Sequence, residues 1–173
     1  NADGYLKEDN LVSSYALTWV QPSISGPDRP DDALVQYAQV IITTKTARLT
    51  VAVGDFVYVS PGEDGPVEIG QVESLFDAGP DEDNAMMFEV RWLFRKEHMK
   101  GAIARSMHQR ELLLSAKNKQ PDKNYIDAIE WKVNVLLHVD AETAGPNLEV
   151  PHTFFCNQIY NPATKRITLL PPP

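Results

Sequence analysis

Side chains that could bind a metal are few and scattered in this chain. His152 and Cys156 stand four positions apart, whereas His98, His108 and His138 occur singly elsewhere. A structural zinc site needs about four cysteine or histidine ligands at compact spacing. The sequence therefore predicts no metal site and no cofactor. It also predicts that Cys156, the single cysteine, is a small buried apolar side chain.

Catalytic motifs are also missing from the sequence. It contains no nucleophile elbow, no zinc-protease helix motif, no phosphate-binding loop and no glycine-rich dinucleotide turn. Carboxylates cluster only in predicted turns, where they are solvated by default: Glu63, Asp64, Asp81, Glu82 and Asp83. The sequence therefore gives no indication of catalysis.

Net charge is the next guide to a partner. The chain carries 24 Asp and Glu against 16 Lys and Arg, a net charge of −8, which disfavours nonspecific DNA binding. The same sign suits a basic partner, although an acidic surface also serves solubility alone. One stretch, residues 95–123, is locally basic, and it could contact a partner or form a solvated face. Its basic residues are Arg95, Lys96, Lys100, Arg105, Arg110, Lys117, Lys119 and Lys123.

The elements that position these side chains are mostly predicted strands. Segments rich in valine, isoleucine and aromatic residues alternate with clusters of Gly, Pro, Asp and Asn, which is typical of a β-dominated domain. In the clearest strand, residues 85–95, strict alternation places five large side chains on one face: Met86, Phe88, Val90, Trp92 and Phe94. The other predicted strands cover residues 35–43, 49–60 with a break at Gly54–Asp55, 67–76, 131–137, 154–160 and 166–170, the last two flanking an NPATK hairpin turn.

The remaining segments are predicted to be less regular. Residues 98–115 could hold one or two helical turns. Residues 1–33 are predicted to be an irregular N-terminal extension that packs through Tyr15, Leu17 and Trp19, ahead of one domain over residues 34–173. Apolar runs are much shorter than the roughly 18 residues that cross a bilayer, so no membrane span is predicted. The single cysteine fits a reducing, intracellular compartment.

The order of these elements resembles the bromo-adjacent homology (BAH) domain family. VAVGDFVYVSPGEDGPVEIGQVESLFD at 51–77 is similar to the opening strands of the family, and EVRWLFRKE at 89–97 is similar to its central strand. The closing stretches are HQRELLLSAKNKQPDKNYIDAIEWKVNVLL at 108–137 and TFFCNQIYNPATKRI at 153–167. The resemblance covers roughly residues 51–170 and implies a mainly-β fold, a distorted β-barrel with a few short helices.

The resemblance also implies a class of function. A BAH domain is expected to be a nuclear, non-enzymatic chromatin interaction module within a larger silencing, epigenetic or replication-origin protein. Its partner would be a histone tail, with a methylated lysine as one option, or the nucleosome surface. One alternative is a structural or autoregulatory domain inside a multidomain enzyme such as a DNA methyltransferase. A further alternative is a general protein–protein scaffold.

Candidate site residues follow from the same resemblance. Trp92 and Phe94 occupy positions of the aromatic cage with which some family members bind methyl-lysine, because a quaternary ammonium is attracted to aromatic faces. Glu68 stands where the family has a cage tyrosine, so Tyr58 or Tyr125 would have to complete the cage. Trp92 and Phe94 could instead extend the apolar stripe into the core. Contacts to a nucleosome or another partner are predicted for Arg95, Lys96, Lys100 and Arg105.

Overall fold

A computed structural model describes residues 16–22, 35–62, 65–79 and 86–173 of the chain, and most of these residues lie in strands. The chain divides into two compact units. The first unit comprises residues 1–90 and 121–132, and the second comprises residues 91–120 and 133–173. Strands β6 (Met86–Arg95) and β9 (Ile129–Leu137) each contribute residues to both units. The mainly-β class with a few short helices, predicted from the sequence, is confirmed.

The first unit is built around strand β2 (Val35–Thr43). One side of β2 pairs antiparallel with β1 (Ala16–Pro22), and the other side pairs first with β5 (Glu68–Asp77) and then with β3 (Arg48–Ala52). Further pairings join β4 (Phe56–Val59) to β5 and to β9, β5 to β6, and β6 to β8 (Asp122–Tyr125). A short 3-10 turn, Ile126–Ala128, precedes β9. The core of this unit is formed by fully buried side chains, among them Ile42, Val57, Ile69, Leu75 and Phe88.

The predicted break at Gly54–Asp55 is a tight corner between β3 and β4. Gly54 has a φ of +94°, in the left-handed region where glycine carries no side-chain penalty. Its N–H donates to the Val72 carbonyl at 2.7 Å, which ties the corner to β5. The Asp55 carboxylate accepts the Ala52 N–H at 2.8 Å and forms an ion pair with the Lys132 Nζ at 2.9 Å. One carboxylate therefore closes the corner and links it to β9.

Substitution of Asp55 by alanine should destabilise the protein by about 1–2 kcal/mol. The variant loses a hydrogen bond to a backbone N–H and also a partly exposed ion pair, which alone is worth little. Chemical denaturation measures the change. Lys132→Ala removes only the ion pair and should cost about 0.5 kcal/mol or less. An equal loss in both variants would show that the hydrogen bond to Ala52 contributes nothing.

The second unit is centred on strand β10 (Thr153–Asn161). It pairs parallel with the second half of β9 and with β7 (Glu111–Ser115), and β7 pairs antiparallel with the end of β6. Strand β11 (Arg166–Leu169) completes the predicted hairpin with β10, and the Asn161 side chain accepts two N–H groups of the turn. Fully buried side chains of this core include Leu112, Leu113 and Cys156.

Short helices lie in the connections of the second unit. Helix α1 (Gly101–Ser106) confirms the helical turns predicted between residues 98 and 115, and a 3-10 turn at Lys96–His98 precedes it. Helix α2 (Ala141–Ala144) begins after Asp140, whose carboxylate accepts the Thr143 N–H at 2.7 Å. That hydrogen bond lowers the pKa of Asp140, because it stabilises the charged form. A 3-10 turn at Gly145–Glu149 follows α2.

One part of the predicted irregular N-terminal extension is in fact a strand. Residues Ala16–Pro22 form β1, and its Trp19 ring stacks on Tyr37 of β2 with centroids 4.3 Å apart and planes 1° apart. The strand forms because β2 offers an open edge and an aromatic partner, which local sequence does not reveal. Tyr15 and the rest of residues 1–33, apart from β1, lie outside the described residues. Within the described ranges, no helix is long and apolar enough to cross a membrane.

Candidate functional site

Strand β6 carries the two aromatic residues that the sequence analysis singles out. Phe88 and Val90 are buried, as the apolar stripe predicts, but Trp92 and Phe94 are only half-buried, and the buried residue beyond Val90 is Leu93. The buried positions thus change from even to odd along the strand. Trp92 and Phe94 share one strand face and both retain solvent-accessible surface, as a binding site requires.

Phe94 meets a second aromatic residue that sequence reasoning does not select. Tyr160 of β10 approaches the Phe94 ring at 5.6 Å between centroids, with the ring planes at 89°. Both side chains are half-buried. Two rings at a right angle form the kind of corner that an aromatic cage is built from. The pairing depends on β7, which lies between β6 and β10, so no local motif in the sequence indicates it.

The other three candidate cage residues, Tyr58, Glu68 and Tyr125, lie in the first unit. Tyr58 is opposite Ile69 in the β4–β5 ladder, and Glu68 is opposite Val59. Because directly opposed residues share a face and successive residues alternate, Tyr58 and Glu68 project from opposite faces of this ladder. Tyr58 is 2% exposed and belongs to the core, whereas Glu68 is exposed. Tyr125, on β8, is 47% exposed and lies opposite Met87.

Three arginines of the second unit are held by specific contacts. The Arg91 Nε donates to the Ser115 carbonyl at 2.7 Å, which fixes this guanidinium to β7. The guanidinium groups of Arg95 and Arg110 each lie 5.6 Å from the centroid of the Phe154 ring, which is 7% exposed. Cation–π attraction at such distances orders long side chains that would otherwise be mobile. Arginine side chains on a solvated face are usually mobile, whereas these three are held in place by their contacts.

The predicted basic contact residues differ in their exposure. Lys100 and Arg105 are exposed at the two ends of α1, whereas Arg95 and Lys96 are half-buried at the end of β6 and in the following 3-10 turn. Residues 95–119 contain seven Lys and Arg against two Glu. The exposed members of this set are Lys100, Arg105, Lys117 and Lys119. We call these four residues the basic surface.

Charge divides unequally between the two units. Among its described residues, the first unit contains four Lys and Arg against eight Asp and Glu, a net charge of −4. The second unit contains ten Lys and Arg against five Asp and Glu, a net charge of +5. The overall charge of −8 therefore conceals a unit of each sign. Each unit can attract partners that the other repels.

No cluster of three or more potential metal ligands occurs in the part of the chain that the structure describes. Cys156 is buried and unpaired, as predicted, and its thiol donates a weak hydrogen bond to the Gln158 carbonyl at 3.5 Å. Burial raises the pKa of the Cys156 thiol, because a thiolate would be poorly solvated there. A protonated, buried thiol is a poor nucleophile, so the side chain serves packing.

Comparisons with known proteins identify the family. The BAH domain family matches residues 49–171, most of the chain. The fold is similar to the crystal structure of the yeast Rsc2 BAH domain, with a TM-score of 0.53 and 16% sequence identity. That match covers 77% of this chain and 53% of the other, so this chain spans about half of that structure. No curated protein is similar enough to count as a match. The chain therefore belongs to the BAH family of chromatin-associated modules.

Proposed function

We propose that this BAH domain is a non-enzymatic module that contacts the nucleosome through its basic surface. The observation that carries the proposal is the division of charge, +5 in the second unit against −4 in the described part of the first. A nucleosome presents both signs, because its DNA is a dense array of phosphates and its histone tails are basic. A chromatin partner of this kind implies a nuclear location.

The overall charge makes the nucleosome a better partner than free DNA. A chain with a net charge of −8 is repelled by a bare phosphate backbone, and only a small part of its surface attracts it. The four exposed cations of the basic surface can each neutralise a phosphate. Basic histone tails near the same DNA would attract the acidic side chains of this chain, whereas naked DNA would only repel them.

Titration against reconstituted nucleosomes and against the same DNA without histones tests the proposal. We expect tighter binding to nucleosomes, with an affinity that falls as salt rises because counterions are released from the DNA. The slope of log K against log salt should correspond to about four phosphate contacts or fewer. Equal affinity for both ligands would contradict the proposal, and so would an affinity that salt does not change.

A methyl-lysine reader is the second candidate, and the Phe94–Tyr160 corner favours it. The two half-buried rings stand at 89°, and Trp92 lies two residues before Phe94 on the same strand face. Three aromatic side chains are enough to surround a methylated ammonium group. The positive charge of the second unit opposes this candidate, because Arg95 and Lys96 directly follow Phe94 and repel a cationic ligand.

Alanine substitution of Trp92 or Tyr160 tests the reader. Either variant should lose at least ten-fold in affinity for a methylated histone peptide, since cation–π contacts with desolvated ligands are worth about 2 kcal/mol or more each. Tyr160→Phe keeps the ring and should bind like the parent. Fluorescence titration with a panel of methylated and unmethylated tail peptides is the measurement. If no methylated peptide binds the parent domain, the reader hypothesis is excluded.

Other roles of a BAH domain are distinguished by the same experiments. A domain that binds neither nucleosomes nor tail peptides would act within its own polypeptide or complex, for example as a structural or autoregulatory part of a multidomain chromatin enzyme, or as a protein scaffold. The division of charge would then serve contacts with other domains, and the basic surface would lose its importance for nucleosome binding.

A further inference from the structure

Three aromatic side chains surround a serine on one face of the second unit. Tyr160 of β10 lies opposite Ser115 of β7 in their parallel ladder. On the other side of β7, Phe94 lies opposite Leu113, which shares the face of Ser115 because the two residues are two positions apart. Continuing this antiparallel register by two residues brings Trp92 level with Ser115. We call Trp92, Phe94, Tyr160 and Ser115 the aromatic box.

The spacing of the aromatic box fits one flat ring. Neighbouring strands lie about 4.8 Å apart, so the backbones that carry Trp92 and Tyr160 are about 10 Å apart, with β7 between them. A ring stacked between two others needs about 7–8 Å, which is twice the contact distance between carbon atoms. The four side chains of the box are half-buried and retain accessible surface. Ser115 and Gln158, which is opposite Leu113, offer hydrogen-bonding groups to the edge of such a ring.

Positive charge surrounds the end of the sheet that carries the box. Strands β7 and β10 are parallel, and both end beside the box. Four exposed cations follow these strand ends: Lys117, Lys119, Lys165 and Arg166. Residues 112–120 and 150–173 contain no Asp or Glu, and the second unit as a whole carries a charge of +5. The surroundings of the box therefore attract an anionic ligand and repel a cation.

We propose that the aromatic box binds a nucleobase of a single-stranded nucleic acid. The base stacks between Trp92 and Tyr160, Phe94 closes one side, and the neighbouring phosphates contact the four exposed cations. A nucleobase brings a negative phosphate with it, so the charge that opposes a methylated lysine supports this ligand. The inference does not rest on the nucleosome contact, because the bases of duplex DNA are paired and stacked and cannot enter the box.

Fluorescence anisotropy of the 173-residue chain with labelled decamers tests the proposal. A uridylate and a deoxyuridylate decamer differ only in the 2′-hydroxyl groups, so the pair distinguishes RNA from DNA as the source of the base. An abasic decamer carries the same phosphates without bases. At least one of the two base-carrying decamers should bind about ten-fold tighter than the abasic decamer, because stacking adds to the attraction of charge. Equal binding of all three decamers would overturn the proposal, and so would binding of none.

Variants of two tyrosines locate the binding. Tyr160→Ala removes one wall of the box and should weaken the base-carrying decamer about ten-fold. Tyr160→Phe keeps the ring and should bind like the parent. Tyr125→Ala is the matched control, because Tyr125 is an exposed tyrosine of the first unit. Equal losses in Tyr160→Ala and Tyr125→Ala would contradict binding in the box.

Chemical shifts of the parent chain give the same information without a variant, in case Tyr160→Ala fails to fold. The ring resonances of Trp92 and Tyr160 should move with the base-carrying decamer and stay in place with the abasic decamer. Unmoved rings would overturn the proposal.

Nucleosome and peptide titrations keep this inference separate from the proposed function. Tyr160→Ala should bind nucleosomes like the parent, so a failed nucleosome contact and an unused box give different results. If a methylated peptide moves the resonances of the box and no decamer does, the rings form a cage for a cation and the nucleobase proposal is wrong.

Discussion

Reversing the charge of Lys100 and Arg105 together should weaken nucleosome binding by about thirty-fold. A basic side chain at an anionic surface contributes about 1 kcal/mol, so the loss of two contacts amounts to about 2 kcal/mol. Both residues are exposed at the ends of the six-residue helix α1, and among the described residues neither side chain makes a hydrogen bond that the change to Glu would break. The fold should therefore survive the substitution.

Nucleosome titrations at several salt concentrations measure this effect. The slope of log K against log salt should fall by about two, one for each lost phosphate contact. The matched control is Lys45→Glu with Arg48→Glu, which changes the net charge equally at exposed positions of the first unit. If the control variant loses as much affinity as Lys100→Glu with Arg105→Glu, net charge governs binding and the basic surface does not.

Replacing Phe88 by alanine should cost about 3–5 kcal/mol of folding free energy. Phe88 is 0% exposed and sits in the β6–β8 ladder opposite Asn124. Removing a buried ring forfeits its transfer free energy and leaves a cavity that the neighbouring strands fill only in part. A loss of this size is a large fraction of the stability of an ordinary domain.

Chemical denaturation followed by tryptophan fluorescence measures the cost. Leu169→Ala is the matched control, because Leu169 is 72% exposed and its removal should change stability by less than about 0.5 kcal/mol. A loss below about 1 kcal/mol for Phe88→Ala would mean that the ring is not part of a tightly packed core.

Much of the strand pattern could be predicted from local sequence. Alternating apolar residues predict β2, β5, β6 and β9, and Gly54 predicts the corner because a positive φ favours glycine. The NPATK turn also predicts the last hairpin, where Asn161 accepts N–H groups of the turn. In these cases the physical cause lies within a few residues of its effect.

What could not be predicted depends on distant contacts. Strand β1 forms against β2, and β8, with the mostly polar sequence DKNY, forms against β6. The change of buried positions between Val90 and Leu93 reflects the packing of β6, and the alternation of its sequence does not show it.

The candidate site was predictable only in part. The family resemblance selects Trp92 and Phe94. It does not select Tyr160, which contacts Phe94 but lies on β10, some sixty residues later in the chain. The sequence offers Tyr58 as a cage residue, yet β4 is buried along most of its length and Tyr58 with it. The division of charge also emerges only when the units are known, since residues 121–132 join the first unit and not the second.

Strand β11 has a consequence for solubility. In the described part of the chain it pairs only with β10, so its outer edge presents unpaired backbone groups, and Leu169 on it is 72% exposed. Such an edge invites another strand and hence aggregation. Charged Lys165 and Arg166 precede its apolar residues, and Pro171–Pro173, which lack N–H donors, follow them. These flanking residues act as gatekeepers that keep neighbouring molecules from extending the sheet.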